Sequence, residues 1–582
     1  MLRDTFVSYS DGVNARNSID DFEIPWPDFR TFFLSRGDAE STFLVELDHE
    51  NGQRREWSVA EWQRAVLATS EWLQSRNVGT GGVVATLIGN RAEALLVAYA
   101  CWMIGACCVP LNPADSPGRH TYILEDSAAT LFIYGPAAGP LVDSLDLDGI
   151  ASVRCEEVPA SGAADLGDGF NANTITDPAG LDVPALRVYT SGTTGNPKGV
   201  VLTSRNLLTD CDALISRLQW PTDTRVITVL PVHHVNGLVV SSLLPWLAGF
   251  STILCDRFRS ERFWSDVTTE GATVCSVVPS LLEFLLKSSE TDTHGLREFV
   301  CGAGPLLVET ALEFEQKFEI PVRHLYGLSE TTAVVTLMPV MPISERRRWH
   351  ESYGWPSVGP ALSHVEVTVH DADDVEVEEG VRGELVMRGA MIMSGYAGME
   401  NETRNSFRGG WFHSGDEGFW IQSDGDRFFF ITGRLKELII RGGSNISPLE
   451  VDSVLCSHSA VDFGLAISFE NRFYGEEVAA YVVTNSIVSN EELLAYCARY
   501  LDYARQPKVI IQGNEIPYTA TGKAKRIELK ARLAPELAKY REKQFRRSKS
   551  PASLHVENHE ESASLRSRTE SPEATQKGAA DD

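Results

Sequence analysis

Hydrophobic and polar positions along the first half of the chain repeat with the periods of helices and strands in turn. Residues 58–61, Ser-Val-Ala-Glu, form a capping-box pattern and predict an amphipathic helix that continues to Leu73. The apolar run 82–88 predicts a buried strand, 91–104 a helix, and 131–134 another strand. This alternation predicts an α/β fold with largely parallel sheets.

The pattern continues into the middle of the chain and then changes twice. Residues 225–230 and 252–254 predict two strands that flank an apolar helix. Residues 160–184 are rich in Gly, Ala and Asp, which predicts a loop or a weakly structured connector. A second shift in composition occurs near Gly433, and we place a domain boundary there.

Beyond Gly433 the pattern predicts a separate small α+β domain. Two strands, 463–468 and 478–483, precede a helix capped by Ser489 and Glu492. The end of the chain has almost no large apolar side chains, which predicts a disordered polar tail. The predicted divisions are a large domain over 1–433, a small domain over 434–540 and the tail over 541–582.

Composition and charge exclude several classes of protein. The chain has 582 residues, with 52 Lys and Arg against 80 Asp and Glu, a formal net charge of -28. So acidic a protein is a poor generic binder of nucleic acid or of anionic membranes, because binding phosphate requires cationic surface. No apolar run is long enough to span a membrane, and the N-terminus lacks the apolar core of a signal peptide.

The cysteines give a further indication of the compartment. The chain has ten of them, with no CxxC pair and no Cys/His cluster at the spacing of a zinc site. A disulfide framework is not expected in a chain of this length. We therefore predict reduced thiols in a cytoplasmic protein.

The strongest local chemical signal is the string YTSGTTGNPKG at residues 189–199. Glycines let backbone N–H groups turn toward an anion, hydroxyls add donors, and a lysine adds positive charge, so the string suits a triphosphate. It does not match the common nucleotide loop GxxxxGK[ST]. The candidate phosphate-binding residues are Thr190, Ser191, Gly192, Thr193, Thr194, Gly195 and Lys198.

This string resembles the phosphate-binding signature of the adenylate-forming superfamily, which includes acyl-CoA synthetases, beetle luciferases and the adenylation domains of peptide synthetases. Further segments resemble that family, in family order, over about residues 185–530. The resemblance implies a large N-terminal AMP-binding domain with mostly parallel sheets and a small, mobile C-terminal α+β domain. It also implies that a carboxylic acid is activated by ATP and Mg²⁺ as an acyl adenylate.

The segment PVHHVNG at 231–237 resembles the family's segment of proline, aromatic residue, histidine and glycine beside the acyl pocket. His234 falls on the family histidine, and Gly237 on the glycine. His233 falls where the family usually has Phe or Tyr. This polar replacement favours a small or polar acid over a long alkyl chain, unless the ring only packs at the edge of the pocket.

Two segments resemble the family's adenine and magnesium sites. Residues 301–306, CGAGPL, resemble the segment that lies along adenine, and 326–332, YGLSETT, resemble the segment that meets phosphate and metal. Glu330 would hold Mg²⁺, which prefers carboxylate, phosphate and water oxygens. The residues that the resemblance places on ATP here are Gly302, Ala303, Gly304, Tyr326, Gly327, Ser329 and Thr331.

Later segments complete the resemblance. Residues 410–416, GWFHSGD, resemble the segment whose aspartate, here Asp416, binds the ribose hydroxyls, a role that suits an acceptor with two oxygens. Arg434 would contact the nucleotide. Lys436 falls at the family's interdomain hinge, close to the boundary placed near Gly433.

The last two matches concern the acceptor thiol and the first chemical step. Residues 441–448, RGGSNISP, resemble the loop that meets CoA, and this implies CoA contacts at Gly442, Gly443 and Asn445. Residues 517–523, PYTATGK, resemble the loop that delivers the catalytic lysine. Lys523 would bridge the attacking carboxylate and the α-phosphate.

The residues within two of these motifs favour one subclass of the family. Residues 231–237 lack the aspartate with which peptide-synthetase domains hold an ammonium group. The string YGLSE resembles the acyl-CoA synthetase motif more than it resembles the YGPTE of peptide synthetases. No carrier domain is visible after Lys523. We therefore predict a free-standing acid–CoA ligase that takes a small-molecule acid, ATP and CoA. The alternatives are an acyl-AMP ligase that loads a separate carrier protein and a nucleotide-binding pseudoenzyme, which the presence of Glu330 and Lys523 disfavours.

Overall fold

The computed structural model describes residues 23–145, 147–159, 179–190, 197–288, 295–517 and 524–545. Parts of four predictions lie outside these residues. They are most of the connector, the candidates Ser191 to Gly195 of the phosphate string, Lys523, and the tail from residue 546 onward.

The strands of the described chain alternate with helices through its first two thirds. The strands are β1 (Thr42–Asp48), β2 (Gln53–Ser58), β3 (Val83–Leu87), β4 (Cys107–Pro110), β5 (Leu131–Tyr134), β6 (Ala151–Arg154), β7 (Pro184–Thr190), β8 (Lys198–Thr203), β9 (Arg225–Thr228), β10 (Ser251–Cys255), β11 (Val274–Val277), β12 (Glu298–Cys301), β13 (Val322–Tyr326), β14 (Thr336–Leu337), β15 (Ser357–Gly359), β16 (Val365–His370), β17 (Gly383–Gly389), β18 (Gly395–Tyr396), β19 (Phe407–Arg408), β20 (Trp411–Ser423), β21 (Asp426–Arg434), β22 (Ile439–Arg441), β23 (Ser444–Ile446), β24 (Val461–Asn471), β25 (Gly475–Thr484) and β26 (Val509–Gly513).

Helices connect many of these strands. They are α1 (Phe29–Leu34), α2 (Val59–Gln74), α3 (Ala92–Met103), α4 (Pro117–Ser127), α5 (Gly139–Val142), α6 (Ser204–Leu218), α7 (Leu244–Ala248), α8 (Phe263–Glu270), α9 (Pro279–Leu286), α10 (Val308–Phe318), α11 (Ile343–Tyr353), α12 (Glu400–Ser406), α13 (Pro448–Cys456), α14 (Asn490–Tyr500) and α15 (Arg526–Leu537).

Two mixed sheets contain the parallel strands. The first has the order β14-β13-β12-β11-β9-β10-β1-β2, and only its two end strands are antiparallel to their neighbours. The second has the order β18-β8-β7-β4-β3-β5-β6, in which β7 to β6 are parallel and β8 and β18 are antiparallel. The prediction of an α/β fold with largely parallel sheets is confirmed for this part of the chain.

The core of the large part is a layer of helices shared by these two sheets. One apolar cluster joins buried residues of α2, α3 and α6 to Leu44 of β1 and Leu186 of β7. A second cluster covers the opposite face of the first sheet with α8, α9 and α10. Burying helices on both faces is what allows the parallel strands to be almost continuously apolar.

Two further sheets follow in the chain. The third, in the order β15-β21-β20-β17-β16 with β19 on β20, is antiparallel. The fourth, in the order β23-β22-β25-β24 with β26 parallel to β25, packs with α13, α14 and α15. This last unit is the small α+β part that the sequence predicts.

The predicted elements of the first half agree closely with the structure. Ser58 Oγ accepts from the Glu61 backbone N–H at 3.2 Å, and Glu61 Oε2 accepts from the Ser58 N–H at 2.8 Å, so the capping box is confirmed. The helix predicted over 91–104 is α3, and the strand predicted over 131–134 is β5. Ser489 caps α14, as predicted, by accepting from the Glu492 N–H at 3.1 Å.

The apolar helix predicted between β9 and β10 differs in its form. Residues Asn236–Leu243 are a π-helix, and a regular α-helix, α7, begins only at Leu244. Pro245 lies just after the junction and has no N–H to donate to a preceding turn. Among the described residues, no helix combines the length and the apolar character needed to cross a membrane.

Candidate active site

Three groups of predicted site residues lie at or after the ends of parallel strands of the first sheet. His233 and His234 come after β9, the segment 302–304 after β12, and the segment 326–331 at the end of β13. Because these strands are parallel, their carboxyl ends lie at one edge of the sheet, the edge where α/β proteins bind ligands. The fold therefore assembles side chains that are about a hundred residues apart in the sequence.

The segments predicted to form the acyl pocket are neighbours. Ser276 at the end of β11 donates its hydroxyl to Asn236 Oδ1 at 2.8 Å. A Cβ added at Gly304 would lie 3.5 Å from Cδ of Pro279, the first residue of α9. The histidine segment, the start of α9 and the glycine segment thus lie side by side.

The two histidines form a pair whose rings are 4.4 Å apart between centroids. His233 Nε2 is buried and has no hydrogen-bond partner among the described residues. Burial, and then the neighbouring His234, hold the pKa of His233 well below its usual range, so this ring is neutral at neutral pH. His233 also lines a small cavity whose far wall includes Thr86 of β3 and Cys108 of β4.

Gly237 and Gly327 each lie so close to another part of the backbone that a side chain would not fit. A Cβ at Gly237 would lie 2.4 Å from the carbonyl oxygen of Pro231, and a Cβ at Gly327 would lie 2.0 Å from that of Ala333. Neither separation is possible between unbonded atoms, so larger residues would displace the histidine segment or the segment that contains Glu330.

The charged residues predicted to meet phosphate and magnesium are joined by a tyrosine. Thr190 and Lys198 face each other across the β7–β8 pair, at the two ends of the phosphate string. Lys198 Nζ lies 5.0 Å from the ring centroid of Tyr396. The Tyr396 hydroxyl donates to Glu330 Oε1 at 3.0 Å. Tyr396 therefore contacts both Lys198, which begins β8 of the second sheet, and Glu330, which follows β13 of the first sheet.

The sequence analysis did not single out Tyr396. Its strand, β18, consists of two residues, and it reaches the site by pairing with β8, nearly 200 residues earlier in the chain. Burial, and then the Glu330 carboxylate, raise the pKa of Tyr396, so the phenol remains a hydrogen-bond donor at neutral pH. The only signal in the sequence was an aromatic residue after Gly395, and such a residue is more often part of a core.

A second polar cluster surrounds Asp416. Tyr326 donates its hydroxyl to Asp416 Oδ2 at 2.7 Å, and Arg434 Nε lies 2.9 Å from Asp416 Oδ1. Asp416 and Arg434 face each other across the β20–β21 pair, so strand register brings them together. Asp416 above all, and also Glu330, raise the pKa of Arg434, so the two clusters share one electrostatic environment.

The backbone just after Glu330 is strained. Thr332 has φ 68° and ψ -72°, and the Ala333 N–H donates to the Thr331 carbonyl at 2.9 Å, as in a γ-turn. The Thr332 hydroxyl secures this turn by donating to the Met391 carbonyl at 2.7 Å. Residues in such conformations persist only where their surroundings hold them.

A buried carboxyl group of α6 holds the next part of this segment. Asp210 Oδ1 accepts from the Val334 N–H at 2.9 Å, and the Ala333 N–H also bonds to this carboxyl group. Asp210 Oδ2 has no partner among the described residues. Burial raises the pKa of Asp210 to about 8. The sequence did not indicate Asp210, and it placed Thr332 in the segment 326–332 without a role of its own.

The residues predicted to meet CoA lie on the small fourth sheet. Gly442 and Gly443 form the turn between β22 and β23, and the Gly442 N–H donates to the Tyr474 carbonyl at 2.8 Å. Asn445 is exposed on β23. Within the described residues, no hydrogen bond or ion pair joins this turn to Lys198 or Glu330. Lys436 follows β21, between the third and fourth sheets.

Comparison with known proteins identifies the family. Residues 35–397 match the model of the AMP-binding enzyme family, and the chain belongs to that family. It is 34% identical over 463 residues to the sulfoacetate–CoA ligase of Cupriavidus necator, over 78% of this chain and 88% of that protein. It is 30% identical to the 2-succinylbenzoate–CoA ligase of Bacillus licheniformis, over 79% and 92%.

A solved structure shares the fold. The O-succinylbenzoate coenzyme A synthetase of Bacillus subtilis, in complex with ATP and magnesium, is 26% identical and superposes with a TM-score of 0.75 over 87% of this chain and 99% of that one. The protein is an acid–CoA ligase of the AMP-forming type. Its substrates are a small-molecule acid, ATP with Mg²⁺, and CoA.

Proposed function

We propose that the acid activated by this ligase is small or polar. The observation that carries the proposal is the half-buried pair of His233 and His234, whose Nε2 atoms are both buried, beside the predicted acyl segments. A neutral imidazole whose Nε2 lacks a partner offers a polar substrate one hydrogen bond and offers an alkyl chain none. The names of the two curated relatives support this class, since sulfoacetate and 2-succinylbenzoate each carry a second acidic group.

We propose next that the phosphates of ATP lie on the string from Thr190 to Lys198. Backbone N–H groups, hydroxyls and the Lys198 ammonium would share the negative charge. Glu330 supplies the carboxylate that Mg²⁺ favours beside phosphate oxygens. The junction of Lys198, Tyr396 and Glu330 supports this assignment because it gathers both charge types at one place.

The nucleoside part would lie on the second cluster. Gly302, Ala303 and Gly304 would follow the adenine, and Asp416 would accept from the ribose hydroxyls, with Arg434 beside it. The ion pair with Arg434 Nε at 2.9 Å fixes the position of this carboxylate. With the nucleotide held there, carboxylate attack on the α-phosphorus releases pyrophosphate, and Lys523 stabilises the charge that develops.

For the second half-reaction we propose a movement of the small domain about Lys436. The proposed boundaries are 1–433, 434–540 and 541–582, and the separate fourth sheet supports the second of them. Residues 541–545 of the proposed tail lie on this sheet, where Arg541 pairs with Glu470 at 2.7 Å. The movement would bring Gly442, Gly443 and Asn445 to the adenylate in place of Lys523.

Two finer statements complete the proposal. A carrier protein with the same pantetheine arm as CoA would be a second acceptor at the same turn. We propose a cytoplasmic location, which the thiol state of the ten cysteines supports because disulfides are rare in that compartment.

The substrate class is tested by replacing His233 with phenylalanine. We expect His233→Phe to raise kcat/KM for an alkyl acid such as octanoate, relative to sulfoacetate, by about 10-fold, because the variant removes one polar contact and adds apolar surface. Acid-dependent release of pyrophosphate from Mg-ATP measures both acids.

The control is His458→Phe, between α13 and β24 of the small domain. His458 packs edge-on against Tyr496 with ring centroids 4.7 Å apart, so phenylalanine preserves that ring contact and loses only the bond from the Ala460 N–H to His458 Nδ1. The control should leave the ratio of the two acids unchanged. An unchanged ratio in His233→Phe as well would show that the ring takes no part in choosing the acid.

A further inference from the structure

We infer that Tyr396 is a positioning residue that fixes Glu330 and Lys198 relative to each other and thereby sets how tightly the enzyme holds Mg²⁺ with ATP. The inference rests on the proposed roles of Glu330 at the metal and of Lys198 at the phosphates. Tyr396 itself does not need to touch the metal or the phosphates. Three features of its surroundings lead to this assignment.

The first feature is that one side chain meets both charges in different ways. Its hydroxyl donates to Glu330 Oε1 at 3.0 Å, a hydrogen bond strengthened by the charge of the acceptor. The face of its ring receives the Lys198 ammonium 5.0 Å from the centroid.

The second feature is the separation of the two charges. Among the described residues, no ion pair is formed by Lys198, whose ammonium lies over the Tyr396 ring instead. A direct ion pair between Lys198 and Glu330 would neutralise both groups and compete with the metal and the phosphates. With the tyrosine ring between them, each charge is held in position and each remains available to a ligand.

The third feature is the rigidity of the strand that carries Tyr396. The Ala397 N–H donates to the carbonyl of Gly199, next to Lys198, at 2.8 Å. The Met393 N–H donates to the carbonyl of Glu330 at 2.8 Å. The short segment 393–397 is thus bonded through its backbone to the neighbours of both charged side chains, so a shift of Tyr396 would move both.

The experiment compares Tyr396→Phe and Tyr396→Leu by their dependence on free Mg²⁺. The readout is acid-dependent pyrophosphate release at saturating ATP and acid. Tyr396→Phe loses only the hydroxyl, so we expect the half-saturating concentration of Mg²⁺ to rise about 5-fold while the KM for ATP changes less than about 2-fold. Tyr396→Leu also loses the ring, and we expect the KM for ATP to rise as well.

The control is Tyr500→Phe, which removes a hydroxyl from an exposed tyrosine of α14 and should leave both constants unchanged. Glu330→Gln is measured alongside. If Glu330→Gln shifts the Mg²⁺ dependence and Tyr396→Phe does not, the inference about Tyr396 is overturned while the proposed role of Glu330 stands. If Glu330→Gln causes no shift, both are overturned. Tyr396→Phe is a conservative change that keeps the ring packed, so the test does not depend on the leucine variant folding.

Discussion

Replacing Lys523 with alanine should reduce acyl-adenylate formation by about 100-fold or more, because the variant loses a positive charge aimed at the transition state. Thioester formation from supplied acyl adenylate and CoA should change less than about 3-fold, since the proposed domain movement withdraws Lys523 before that step. Pyrophosphate release measures the first half-reaction, and loss of free CoA thiol measures the second.

The described residues on either side of Lys523 are held by contacts that do not involve the Lys523 side chain. The Lys525 N–H donates to the Pro517 carbonyl at 2.7 Å and closes the base of the segment that contains Lys523. The next residue in the chain, Arg526, is buried and pairs with Asp452 at 2.5 Å. It also pairs with Glu437, beside the proposed hinge, at 3.2 Å. Alanine at 523 leaves these anchors intact.

Lys525→Ala is the matched control. It removes a lysine two residues away that pairs with Glu528 at 3.3 Å on an exposed surface, where ion pairs contribute little to stability. Both half-reactions should keep their rates in this variant. Equal losses of both half-reactions in Lys523→Ala would contradict the exchange of two conformations and would point to a general structural role for the lysine.

Glu330→Gln has the second largest expected effect. The amide preserves the shape of the side chain and can still accept from Tyr396, but it offers the metal no charge. We expect kcat for adenylate formation to fall about 100-fold, with partial recovery at high Mg²⁺. Rates measured over a range of free Mg²⁺ concentrations separate this effect from a loss of folded protein, which extra metal would not restore.

The control for Glu330→Gln is Glu366→Gln. Glu366 lies on β16 and pairs with Arg388 at 2.6 Å at an exposed position in another sheet. The variant makes the same chemical change without touching the site, and its activity should equal that of the parent. An Mg²⁺ dependence in Glu330→Gln identical to the parent's would show that another group binds the metal.

The predictable part of the site follows from local signals. A histidine-containing string marks the end of β9, and strings with glycines or hydroxyls mark the ends of β12 and β13. Parallel topology then places those ends at one edge. Local patterns also predicted the capped helices α2 and α14, because a cap requires only residues three apart. The string 191–195 and Lys523 remain sequence predictions.

What the sequence did not indicate is which side chains strand pairing and local helix geometry bring together. Tyr396 joins Lys198 and Glu330 only because a two-residue strand pairs with β8. Arg434 meets Asp416 through the register of β20 and β21, and a shift by one residue would turn one of them to the other face. The π-helix after His233 has no pattern of its own, since its side chains are as apolar as those of a buried α-helix.

Because the carboxyl group of Asp210 is buried, folding is coupled to the binding of a proton by this group. The native protein retains this proton up to about pH 8, whereas the unfolded chain releases it near the ordinary value of 3.8. Between these values the unfolded state binds fewer protons, so Asp210 makes the free energy of unfolding fall as pH rises, by at most about 1.4 kcal/mol per pH unit. Folding at pH 7 should therefore take up a proton at this site. Calorimetry in buffers of different ionisation enthalpy would count it, and Asp210→Asn should abolish that uptake.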